Sequence, residues 1–135
     1  MQDKQVNKLL RAADQRLTAA GVLFENDMHL ESMYLAGYVP ECALKALILS
    51  RVPLKDRSEY QRRSFRGVSA HRYEYLKRLL RELGVGIPLS VARSLRIIES
   101  WSTDLRYEVG RKNPEEASEF LSAARAVRDW VQRSL

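Results

Sequence analysis

The 135-residue chain has a single cysteine, Cys42, and only two histidines, His29 and His71. One cysteine closes no internal disulfide, and without a Cys-x-x-Cys pair there is no zinc ribbon; both absences suit a reducing, cytoplasmic setting. Glycine and proline together number ten residues against a hydrophobic content of 45%, which excludes a disordered or low-complexity chain. That length buries a core without covalent staples. No uninterrupted apolar run is long enough for a good membrane span, and MQDKQVNKLL places charges where a secretion signal needs an apolar block. Neither membrane insertion nor export is expected.

Chemical signatures are scarce as well. There is no G-x-x-x-x-G-K-[ST] phosphate loop, and the lone GVG at Gly84 to Gly86 follows a helical pattern, where it reads as a helix cap and turn. Around His29, the carboxylates Glu25, Asp27 and Glu31 are spaced like charges at a helix start rather than like metal ligands, so no metal and no cofactor are expected. His71 opens a helix beside Arg72 as a capping or packing residue, and Cys42 reads as a small core residue. Tyr34, Tyr38, Tyr73 and Tyr75 fall at helical spacing and read as packing.

What is present is helical periodicity. Val6, Leu10, Ala13, Leu17 and Ala20 recur at intervals of three and four, predicting a first helix from about Asp3 to Leu23. FEND links it to a second apolar stretch, about Met28 to Arg51. A third helix starts near Ala70 with Tyr73, Leu76, Leu80 and Leu83 on one face, and a fourth carries Val91, Leu95, Ile98, Trp101 and Leu105. The last opens on Asn113 as N-cap, with Pro114 in the first turn and Glu115 and Glu116 facing the positive end of the dipole. No segment alternates with period two, so the fold class is all-α: one up-and-down bundle of about five helices over residues 1–135. The long connection, Val52 to Ser69, is polar and basic and reads as a lid or a binding loop.

The second stretch is unusual. YLAGYVPECALKALIL, Tyr34 to Leu49, has two charges in sixteen residues, Glu41 and Lys45, so it must be covered nearly all round. Either it is the central helix, or another chain buries its second face; five helices rarely enclose one of their number, which favours a dimer. Pro40 removes the bond to the Ala36 carbonyl, so a kink or break is expected there. Glu41 and Lys45 stand at i, i+4 in the favourable order, but on an apolar helix their charges are expected to meet partners from elsewhere, since an unpaired buried charge is costly.

Charge is uneven. Arg51 to Arg81 holds ten Lys/Arg against Asp56, Glu59 and Glu74, a local +7 in a chain of +6 overall. A basic block on a neutral body suits a polyanion, RNA or DNA before a membrane; a solvated basic loop is the plain alternative. Arg62, Arg63 and Arg66 are its candidate binding residues. In WSTDLRYEVGRKN, Arg106 sits at the edge of the buried face near a helix end, where it either complements the dipole or holds a phosphate.

These segments carry a resemblance. YLAGYVPECALKALIL, AHRYEYLKRLL, WSTDLRYEVG and the closing EFLSAARAVRDWVQ, taken in that order, resemble a HEPN domain (higher eukaryotes and prokaryotes nucleotide-binding) from about Leu17 to the C-terminus. The resemblance implies a helical bundle that forms a two-fold homodimer with a polar groove at the interface. Many such proteins are metal-independent ribonucleases acting as toxins or phage-defence effectors. Others bind RNA or nucleotides without cleaving them, or pair with a minimal nucleotidyltransferase in toxin–antitoxin systems. Catalytic members carry an arginine separated by four to six residues from a histidine. Arg106 matches that arginine, whereas Arg111, Lys112 and Asn113 occupy the histidine positions. Cleavage through the 2′-hydroxyl needs groups that move protons near neutral pH, which arginine and lysine do poorly. Arg106, Arg111 and Lys112 therefore suit phosphate binding, with Glu41 pairing to Arg106 or Lys45 to set the groove. Three readings follow: a non-catalytic RNA- or nucleotide-binding dimer, a ribonuclease with a degenerate site around Arg106, or a protein-interaction module docked through the apolar second helix.

Overall fold

The computed structural model describes residues 4–67, 72–102 and 105–135, with only the backbone given for Trp101, Ser102 and Arg106. Among these residues the fold is all helical: α1 (Lys4–Glu25), α2 (His29–Ala36), α3 (Tyr38–Ser50), α4 (Arg57–Ser64), α5 (Tyr73–Glu82), α6 (Leu89–Ser102) and α7 (Pro114–Ser134). Short 3-10 turns at Leu54–Asp56 and Leu105–Tyr107 complete it, and no strand is present among the described residues.

Local signals end several helices where the sequence places them. Asn113 Oδ1 accepts from the Glu115 amide at 2.7 Å, and Pro114 takes the first helical position of α7. Replacing Asn113 by alanine leaves that amide without its acceptor and is expected to cost about 1 kcal/mol; urea unfolding of the variant, with an unchanged slope, is the check. At the end of α5, Gly84 adopts φ +79°. Its N–H bonds to the Arg81 carbonyl and the Val85 N–H to Leu80, an arrangement that satisfies two otherwise orphaned carbonyls. The same arrangement closes α1 without a glycine. Asp27 takes φ 62°, its N–H bonding to Phe24 and that of Met28 to Leu23. The acidic residues around His29 thus belong to the end of one helix as much as to the start of the next: α2 has Met28 at its N-cap and no side-chain cap. His29 instead sets its ring edge-on to Phe24, centroids 5.0 Å apart.

The expected second helix is two helices. The break falls at Gly37, three residues before Pro40, which puts the proline in the first turn of α3, where an amide hydrogen is not needed. A proline inside a continuous helix would clash with the carbonyl four residues back, so the chain restarts the helix upstream instead. Tyr73, buried on α5, donates its hydroxyl to the Gly37 carbonyl at this joint. Burial holds the Tyr73 phenol well above its ordinary pKa, so it stays a donor.

The core lies around α3. Nine of its thirteen residues are buried, among them Val39, Leu44, Leu47, Ile48 and Leu49. They are enclosed by α1 and α7, with α2, α4 and α5 completing the cover. Of the two alternatives for this apolar helix, it is the central helix of the bundle. Its burial is met within one chain and carries no argument for a dimer. The chain manages this because the long basic connection is largely helical over its described residues. Residues 54–64 form a 3-10 turn and α4, which closes over α3. Arg57 anchors it, donating from Nε to the Val52 carbonyl at 2.9 Å and from Nη2 to Ser50 at 3.2 Å. Among the described residues no helix is long and apolar enough to cross a membrane.

Candidate nucleic-acid interface

Arg106 lies in the 3-10 turn Leu105–Tyr107 rather than at the end of α6. Leu105, buried, is the anchor: the turn packs against α2 and α6. Beyond it the chain runs outward, with Tyr107 81% and Val109 94% exposed, and turns at Gly110 with φ +100°. The Arg106 side chain lies outside the described residues, as does all of His71, so their placement relative to Glu41 is not among the structural findings. Arg111 is exposed. Lys112 ion-pairs with Glu108, Nζ to Oε2 2.6 Å, four residues earlier. The two basic residues after Arg106 therefore differ: one faces water, the other is already engaged by a carboxylate.

A groove of about 400 Å³ runs between this turn and α2, lined by Leu23, Leu30, Tyr34, Leu35 and Leu105, with Glu31 and Glu108 on its polar side. Tyr34 and Tyr38 pack edge-to-face, centroids 5.4 Å apart, with their hydroxyls 3.0 Å apart. Of the four tyrosines expected to be packing residues, Tyr73 is buried and Tyr75 packs against the core, whereas Tyr34 is at the surface, on the groove itself.

Glu41 and Lys45 meet each other, Oε2 to Nζ 3.1 Å, with side chains only 13% and 10% exposed. Lys45 also lies over the Phe65 ring, 5.5 Å from its centroid, which ties this pair to the end of α4. A pair so placed reads as part of the packing between α3 and α4 as much as part of a binding groove. Beside it, burial raises the pKa of the Cys42 thiol, and the nearby Arg16 guanidinium only partly offsets this. Cys42 is a packing residue rather than a thiolate nucleophile.

The basic candidates of the connection sit on and just after α4. Arg62 pairs with Glu59, Arg63 rests over the Tyr60 ring at 6.0 Å, and Arg66 is exposed. One residue escaped the sequence reading. Arg78 on α5 stands over the Tyr75 ring at 5.2 Å, and Tyr75 donates its hydroxyl to the Ser64 carbonyl at 2.8 Å, so α5 adds its charge to the end of α4. The signal was legible: Tyr-x-x-Arg occurs in both segments, Tyr60 to Arg63 and Tyr75 to Arg78, at a spacing that stacks the two side chains on one helix face. Among the described residues no three His, Cys, Asp or Glu side chains gather as metal ligands do.

Compared with known proteins, the chain matches the family model described as HEPN domain over residues 6–134. No curated protein and no solved structure matches it.

Proposed function

The chain belongs to the HEPN domain family, and from that premise we propose that it binds RNA, or a nucleotide, as a homodimer without cleaving it. HEPN domains carry nucleotide- or RNA-related functions in general. The observation that carries the finer reading is the run Arg111-Lys112-Asn113, where a cleaving relative needs its histidine. The arginine position is filled by Arg106, so a phosphate-binding group is retained while the proton-transfer group is replaced by side chains that stay charged. The exposed Arg111 and the basic α4 add electrostatic attraction for a polyanion. In this reading Arg106 contributes from each protomer, and the partner is a minimal nucleotidyltransferase of a toxin–antitoxin or phage-defence pair.

The test is total RNA incubated with the purified protein, with and without divalent metal, beside Arg106→Ala. The expected result is intact RNA and a mobility shift that the variant weakens about tenfold, the loss of one charge-assisted contact of about 1.4 kcal/mol. Cleavage that disappears in the variant would establish the degenerate-site nuclease instead. An unshifted wild type would leave the protein-interaction module.

A further inference from the structure

We infer that the end of α4 and the adjoining face of α5 form a ridge that binds the phosphates of a polynucleotide, apart from Arg106; this rests on the RNA-binding reading above and narrows its ligand to a polymer. Two arginines on this ridge are mounted in the same way. Arg63 lies over Tyr60 and Arg78 over Tyr75, each three residues on from its tyrosine. A guanidinium resting on a ring face loses little freedom on binding, and its N–H edges remain free for phosphate oxygens. The mounts are fixed in turn. Tyr60 packs edge-to-face on Phe65, centroids 6.0 Å apart, and Tyr75 is hydrogen-bonded to the Ser64 carbonyl.

Arg66, just past α4, is exposed and has no partner among the described residues. A role in complementing the helix dipole accounts for Arg62 and Arg63 in the last turn but not for Arg66 beyond it or Arg78 on another helix. The carboxylates nearby do not neutralise the set. Glu59 takes Arg62, and Glu82 reaches Arg78 only at 4.0 Å with both side chains more than 60% exposed, a contact weak in water. Cations mounted separately on two helices match a line of phosphates better than the single phosphate cluster of a mononucleotide. Such contacts set affinity and position without reading sequence.

The experiment measures binding of a 20-nucleotide single-stranded RNA and of ATP by fluorescence or calorimetry across a salt series. It compares wild type, Arg63→Gln/Arg66→Gln/Arg78→Gln, the same three positions changed to lysine, and Arg106→Ala. All three ridge positions are at the surface, and circular dichroism checks that each variant folds. For the glutamine variant the expected result is RNA affinity at least tenfold weaker and a log–log salt slope shallower by about two, from three phosphate contacts at ~0.7 each. ATP affinity should not change, and the lysine variant should regain the slope. RNA affinity and slope equal to wild type in the glutamine variant would overturn the ridge, and if Arg106→Ala alone weakens binding, the RNA-binding reading survives without it. RNA left unbound by the wild type at low salt would overturn both.

Discussion

Phe120→Ala is expected to destabilise the protein by about 4 kcal/mol, within the range for truncating a fully enclosed aromatic. Phe120 has no solvent exposure and heads the fully buried side chains by volume. It stands on α7 with its ring tip against the α2–α3 joint, Cζ 3.8 Å from where a Cβ on Gly37 would lie. Truncation therefore opens a cavity beneath a place where the backbone ladder is already interrupted by the Gly37 break and Pro40. The walls of such a cavity come from three helices, which collapse onto it less readily than a surface helix would. Urea unfolding should show the midpoint falling with little change in slope, and the melting temperature should drop by roughly 10 °C or more. A loss below about 1.5 kcal/mol would mean that α7 does not pack against the joint as described.

Glu41→Ala is expected to cost about 3 kcal/mol. The variant leaves the Lys45 ammonium, 8% exposed as a residue, with the Phe65 ring face and no carboxylate. Breaking one side of a buried ion pair costs about 3–5 kcal/mol, because the remaining charge stays desolvated without compensation. Both side chains here retain slight solvent contact, which places the value at the lower end. Replacing both together, Glu41→Leu with Lys45→Met, removes the stranded charge as well as the pair and should come within about 1 kcal/mol of wild type. Unfolding of Glu41→Leu, Lys45→Met and the double gives the coupling directly. Additive losses would show the two side chains to be independent, and the ion pair would then have no part in holding α3 against α4.

Both experiments address what was hardest to read from residues alone. The Glu41–Lys45 spacing was evident, but whether each charge meets the other or one from a distant segment depends on which elements lie alongside. Partners from elsewhere were expected, yet Lys45 meets Glu41 of its own helix, with the Phe65 ring supplied from beyond α4. The break before Pro40 was anticipated in kind and misplaced by three residues. Proline forbids one hydrogen bond but does not state where the helix restarts, and that position is set by the packing of Tyr73 and Phe120 on Gly37. Helix α4 went unseen in a stretch read as loop because its pattern is almost entirely polar. It has one buried residue, Ser64, and it is held by Arg57, Tyr75 and a few aromatic edges rather than by an apolar stripe.

The candidate residues divide along the same line. The WSTDLRYEVG segment and the apolar run through Glu41 and Lys45 carried the resemblance to the HEPN family, which the match over nearly the whole chain establishes. Arg62, Arg63 and Arg66 could be chosen from local charge density. Arg78 is marked only by the Tyr-x-x-Arg spacing it shares with Tyr60 and Arg63; that it lies beside the end of α4 was not legible, because that depends on the Tyr75–Ser64 hydrogen bond between separate helices.

Local residue patterns were enough for the all-α class, the stripes that face the core, the Asn113 cap, the Gly84 stop and the absence of a histidine after Arg106. Each of these depends on residues within a turn or two of one another, where spacing and side-chain chemistry act directly. Long-range packing alone set the enclosure of α3 by its own chain, the cover that α4 gives it, and the hydrogen bond that joins Tyr75 of α5 to the end of α4. Burial and juxtaposition depend on which distant segments come to lie together, and no window of sequence contains that information.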